Sequence, residues 1–181
     1  ERSYEKRGYL KEPFRLFHLR DTVEEEMDYH YHEFDKLVLF LGGSAGYIIE
    51  GRAYTLEPWD LLLVGRHQIH RPVIDPAEPY ERAVLYISRG FLTAADPGGD
   101  DLAACFQLAE RRHAALLRPD AGQRGELGRL LTRLEGALGD GGFAGGLLAR
   151  TSFLQLVIAV NRMALAGGGA AEGDAARFDP K

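Results

Sequence analysis

The sequence predicts a β-rich α+β fold, with an all-β barrel or sandwich in the first half and a helical region in the second. Three observations carry this expectation. Aromatic residues and His crowd the front, with 14 of 18 and five of six before residue 92, whereas 18 of the 22 Ala lie after it. Short apolar runs in the first half are broken at close intervals by turn-forming residues, the pattern of many short strands. Apolar runs in the second half recur at helical spacing.

Strands are expected at residues 14–19, 36–41, 46–49, 60–64 and 83–88, divided by Gly-Gly, Glu-Gly-Arg, Glu-Pro and Asp-Pro breaks. Helices are expected at residues 101–117, 126–138 and 147–165. In the middle helix Leu127, Leu130, Leu131, Leu134 and Leu138 form one apolar stripe. That stripe either packs on the barrel or joins two subunits. Two Leu-rich helices offer more apolar surface than a small barrel covers, so a homodimer with these five Leu at its interface is expected. Residues 167–176, rich in Gly and Ala, have no periodicity and too little bulk to pack, which reads as a flexible linker.

The 181 residues carry 22 basic and 27 acidic side chains, a net charge of −5. This is the size of one globular domain or one with an appendage. A negative balance gives no general attraction to phosphate, which speaks against nucleic-acid binding by this stretch alone. No run approaches the roughly 18 apolar residues of a membrane span. The lone Cys, Cys105, can form neither an internal disulfide nor a Cys-rich zinc site, and no signal peptide is evident. A reducing, cytoplasmic setting is expected. The chain starts at Glu1 and not at Met, so a trimmed fragment with further domains elsewhere is also expected.

The densest chemical signal is His30-Tyr31-His32, followed by Lys36 and then Gly42-Gly43. Residues two apart on a strand face one side, so His30 and His32 can converge, with Lys36 continuing the face if the strand stays regular. A second element runs from Pro58-Trp59-Asp60 through an apolar strand to Gly65, His67 and His70. Three His could hold Zn, Fe or Ni, could hydrogen-bond a small molecule, or could be structural. Lys36 opposes a metal at close range. It either pairs with Glu33, Glu50 or Asp60 or binds an anionic or hydroxylated effector. Trp59 is either a surface aromatic beside Pro58 or a pocket wall, His67 is expected at an exposed turn, and Tyr47 is a weaker pocket candidate.

These residues resemble the two motifs of the cupin superfamily. His30, His32, Lys36 and Gly43 stand at the positions of the first, and Trp59, Gly65, His67 and His70 at those of the second. The acidic metal ligand of that pattern is replaced by Lys36, and departures at Gly and Pro positions argue against a standard metalloenzyme. The string from His30 to Pro72, with the hairpin between Tyr47 and Pro58, and the helical pair ending near Arg162, resemble the N-terminal effector-binding and dimerisation domain of AraC-type transcriptional regulators. The resemblance implies a cupin-like β-barrel, or jelly roll, over residues 1–92. It implies an α-helical dimerisation region over 93–166 and a linker over 167–181 to a missing helix-turn-helix domain, through which alone DNA would be bound. His30, His32, Lys36, Tyr47, Trp59 and His70 are the expected effector-binding set, with His30, His32 and His70 as the metal ligands if a divalent ion is held. No cofactor and no catalysis are expected. The alternative is a metal-dependent cupin enzyme, a dioxygenase or isomerase.

Overall fold

The computed structural model describes residues 4–167 and the backbone of residues 170–171 and 174–175. Two six-stranded sheets face each other. The first contains β1 (Glu5–Lys6), β3 (His30–Tyr31), β5 (Ala45–Ile49), β6 (Arg52–Thr55), β8 (His70–Ile74) and β12 (Asp174–Ala175), in the order β1-β3-β8-β5-β6-β12. The second contains β2 (Phe14–Asp21), β4 (Asp35–Gly42), β7 (Leu61–Val64), β9 (Tyr80–Ile87), β10 (Leu116–Leu117) and β11 (Ala170–Ala171), in the order β11-β10-β7-β4-β9-β2. The helices are α1 (Arg89–Ala94), α2 (Ala104–Arg112), α3 (Ala121–Leu138) and α4 (Gly145–Leu165).

The second sheet is buried on both faces, so β4 and β7 read as continuous apolar runs without polar alternation. The pleat sorts their side chains. Val38, Phe40, Leu62, Val64, Val84 and Tyr80 point into the barrel with Tyr47 and Ile49 of the opposite sheet. Leu37, Leu39, Leu61, Leu63, Ala83 and Leu85 point outward and join the core under the helices. Lys36 shares the parity of Val38 and Phe40 and therefore enters the barrel, whereas Asp35 faces the helical side.

Two ion pairs on fully buried carboxylates fasten the halves together. Arg89 at the start of α1 clasps Asp35 through Nε and Nη2 at 2.6 and 2.7 Å, and Arg118 clasps Asp60 at 2.9 Å twice. Helix α3 starts on a capping box between Asp120 and Gln123. Phe14 of β2 stacks on Phe153 of α4 at 4.0 Å.

The Leu stripe decides between its two readings. Leu127, Leu131 and Leu134 are buried within the chain, against the outer face of its own sheet and α4. They cannot also form a subunit interface, which corrects that assignment. Leu130 is partly buried against the same core, and only Leu138 is exposed. The barrel absorbs the stripe because both faces of the second sheet are apolar.

The expected helix over 101–117 is shorter than its periodicity suggested. It ends where His113 adopts a left-handed conformation with φ 50°, and Leu116–Leu117 then pair with β7 as β10. Strands β1, β3 and β10, two residues each, are too short for an alternating pattern to register. Of the expected linker 167–181, Ala170–Ala171 and Asp174–Ala175 pair with β10 and β6. Residues 168–169, 172–173 and 176–181 lie outside the described residues.

Candidate functional site

His30 on β3 is the register partner of His70 on β8, and His32 follows just past the end of β3. The three are buried, and their ligating nitrogens all lie within 4.8 Å of one another. Each ring is oriented by a backbone carbonyl. His30 Nδ1 donates to Asp28 at 2.8 Å, His32 Nδ1 to Arg7 at 2.6 Å and His70 Nδ1 to Gln68 at 2.9 Å. A carbonyl only accepts, so each Nδ1 carries the proton. A neutral imidazole has one N–H, which leaves an in-plane lone pair on every Nε2.

Neutrality follows from burial. Burial lowers the pKa of His30, drives His32 down to about 4 and takes His70 down to about 2, and the positive charge of Lys36 lowers all three further. Nε2 of His32 and of His70 is buried with no hydrogen-bond partner among the described residues. An unpartnered buried acceptor costs roughly 1–3 kcal/mol, so these lone pairs call for a donor or a cation. His32 is held from the side by Phe34, stacked at 4.7 Å.

Lys36 is buried, and its Nζ donates to the Tyr47 hydroxyl at 3.3 Å and sits 5.3 Å from the centre of that ring. None of the three carboxylates expected as its partner serves it. Glu33 pairs with Lys6, Glu50 accepts from the Ile69 amide, and Asp60 is held by Arg118. Desolvation lowers the Lys36 ammonium to about 8 and raises the Tyr47 hydroxyl to about 12. The interior thus offers three acceptors and one cationic donor.

The donor set fits a divalent cation in its three clustered imidazoles, each with its Nδ1 proton held by a backbone carbonyl so that Nε2 is left to ligate. Lys36 stands where a carboxylate would complete such a site, and its charge must be displaced or neutralised for an ion to settle. Tyr47 reaches the cluster through Lys36, with its ring centre 6.5 Å from that of His70. Trp59 does not: it lies outside the barrel, with the core between sheet and helices, and its indole reaches Gly128 of α3. It leaves the barrel because it occupies the outer turn between β6 and β7. His67 stands exposed at a turn with φ 68°. The carbonyls of Arg7, Asp28 and Gln68 had no signal in the sequence, because any residue type can supply them.

Two antiparallel-rich sheets enclosing a buried polar cluster, with helices packed on one outer face, define a cupin-like ligand-binding barrel. The chain belongs to the family of AraC-like ligand-binding domains, whose pattern matches residues 16–157. No curated protein matches it. Similar solved structures include a cupin-like protein from Thermotoga maritima, at 14% identity over 44% of this chain and 60% of that one, with a TM-score of 0.39. An RmlC-like cupin family protein from Methanocaldococcus jannaschii aligns at 13% identity over 41% and 70%, with a TM-score of 0.37. A salicylate 1,2-dioxygenase from Pseudaminobacter salicylatoxidans aligns at 15% identity over 51% of this chain and 34% of its own length, with a TM-score of 0.38. No helix among the described residues is long and apolar enough to cross a membrane.

Proposed function

We propose that this chain is the ligand-sensing and dimerisation domain of a cytoplasmic AraC-type transcriptional regulator, without catalytic activity of its own. The observation that carries the proposal is the set of three clustered, tautomer-locked imidazoles, with Nε2 of His32 and of His70 buried and unpartnered, beside a buried ammonium. Such an interior matches a small effector that donates hydrogen bonds to His30, His32 and His70 and presents an anionic or acceptor group to Lys36, beside Tyr47. Binding would control a helix-turn-helix domain outside this chain only if the effector favours one of two domain arrangements.

For a homodimer on the helical half, the surface left free is not the buried Leu stripe. Leu138, Phe143, Leu147, Leu148, Ile158 and Leu165 are exposed along and between α3 and α4, and they are the contact set we propose in its place. Sedimentation of wild type against a Phe143→Asp, Leu147→Asp variant tests this. A dimer that becomes monomeric supports it, and a wild-type monomer at high concentration overturns it.

The second reading, a metal-dependent cupin enzyme, is favoured by the closeness of the three His nitrogens. His30, His32 and His70 would hold the ion, which would supply Lewis-acid chemistry. Elemental analysis of protein purified without a metal-affinity tag separates the two. Near-stoichiometric metal that disappears in His30→Ala would favour the enzyme reading, and adventitious traces favour the sensor.

A further inference from the structure

Outside the barrel, Trp59 and α3 enclose a groove of about 760 Å³, lined also by Arg124, Gly125, Gly128, Arg129, Thr132 and Arg133. Trp59 follows Pro58 in a turn closed by the Asp60 amide on the Glu57 carbonyl at 2.9 Å, and its φ is +77°. That is the turn position that favours Gly, so a bulky L-residue is strained there. The indole packs closely on the helix at Gly128 and leaves the backbone open one turn earlier, at Gly125. A Cβ added at Gly128 would lie 3.3 Å from Cη2 of Trp59, and one added at Gly125 would meet nothing. The floor of the groove is therefore bare helix backbone and the wall is indole.

The charge around this groove runs against the chain's net −5. Arg124 touches the Pro119 carbonyl and Arg133 the Gln155 side chain, both neutral, and Arg129 makes no hydrogen bond or ion pair among the described residues. None of the three guanidiniums has a carboxylate partner there. Guanidinium groups bind phosphate bidentately and stack on planar rings, as does indole. From residue 124 to 133 the helix rises about 13 Å, room for a ring at one end and an anion at the other.

We propose that the groove between Trp59 and α3 is a second ligand site, separate from the barrel, that takes a mononucleotide-like molecule: a planar heteroaromatic ring carrying a phosphate. The ring lies against Trp59 over Gly125, and the phosphate is held by Arg129 and Arg133.

Trp59 is the one Trp of the chain, so intrinsic tryptophan fluorescence reports on this groove alone. Titration with AMP, GMP and CMP should give saturable quenching by at least one of them, with a dissociation constant of about 1 mM or tighter. Adenosine and inorganic phosphate should each bind at least tenfold more weakly. Arg129→Ala with Arg133→Ala, both at exposed positions, should weaken nucleotide binding at least tenfold with circular dichroism unchanged. Gly125→Leu should abolish it, and the double Arg variant decides if that one does not fold. No saturable quenching by any nucleotide overturns the proposal. So does equal affinity for inorganic phosphate, which would make the groove a general anion patch. Tighter binding of a short DNA duplex than of any mononucleotide, lost in the double Arg variant, overturns it in favour of a nucleic-acid surface.

Discussion

Acid should destabilise this domain before its carboxylates titrate, because the barrel holds neutral imidazoles. His32 titrates at about 4 and His70 at about 2 when folded, against 6.5 ordinarily. Below pH 6.5 the unfolded chain takes up protons at both positions and the folded chain does not, so stability is full above that value and falls as pH drops. Each such His removes about 1.4 kcal/mol per pH unit once well below 6.5. By pH 5 the loss is about 2 kcal/mol for each, or about 4 kcal/mol together, a large part of the roughly 5–15 kcal/mol of a typical domain. His18 works the other way. Desolvation lowers its pKa, but hydrogen bonds to Glu135 and Glu81 outweigh this and raise it, so its contribution is present at low pH and fades as pH rises through the raised value. Its partial exposure keeps that offset small. Urea unfolding followed by circular dichroism at stepped pH, at low protein concentration, measures the slope. The His70→Gln variant should lose about one proton's worth of slope, about 1.4 kcal/mol per pH unit. A flat profile between pH 6.5 and 5, or an unchanged slope in His70→Gln, would refute the tautomer and burial argument.

Leu134 is fully buried on the inner face of α3, so Leu134→Ala should cost about 2–5 kcal/mol in urea unfolding and leave the sedimentation coefficient unchanged. An interface role would instead dissociate subunits with little loss of fold. Asp35→Asn keeps an acceptor for the Arg66 amide but leaves Arg89, 12% exposed, without its counter-charge and turns an amide NH2 toward its guanidinium, and should cost about 3 kcal/mol by the same assay. Cys105 is buried and its thiol is pushed up to about 12, so iodoacetamide should label it only on the timescale of unfolding. Rapid native-state labelling would contradict its placement.

The barrel-then-helix order was legible because turn residues and helical Leu spacing are local signals. The convergence of His30, His32 and His70 was an expectation of the resemblance to the two cupin motifs, but the register pairing of His30 with His70 was not legible, since β3 is two residues long. Lys36 enters the barrel by the parity of Val38 and Phe40 on β4, not along one regular strand from His30, because β3 and β4 lie in different sheets. Its isolation from Glu33, Glu50 and Asp60 was not legible, because each of those carboxylates finds a partner fixed by tertiary contacts: Lys6, the Ile69 amide and Arg118. The Leu stripe misled for a related reason. A one-dimensional pattern shows that a helix has an apolar face and is silent on which surface covers it. Only the two-sided burial of β4 and β7 assigns Leu127, Leu131 and Leu134 to the chain's own sheet. Trp59 was misplaced because its backbone takes a left-handed turn that composition does not reveal.

Whether the His30, His32, His70 and Lys36 interior is an effector pocket is best decided by thermal unfolding of the chain against a small-metabolite library. The same screen is run on His70→Gln and Lys36→Met. A genuine effector should raise the wild-type melting temperature in proportion to the logarithm of its concentration, and both substitutions should remove the rise while leaving a folded barrel. Stabilisation by metabolites that persists in both variants would place the binding elsewhere. Stabilisation by divalent ions alone, lost in His70→Gln, would contradict the sensor and favour the metal enzyme.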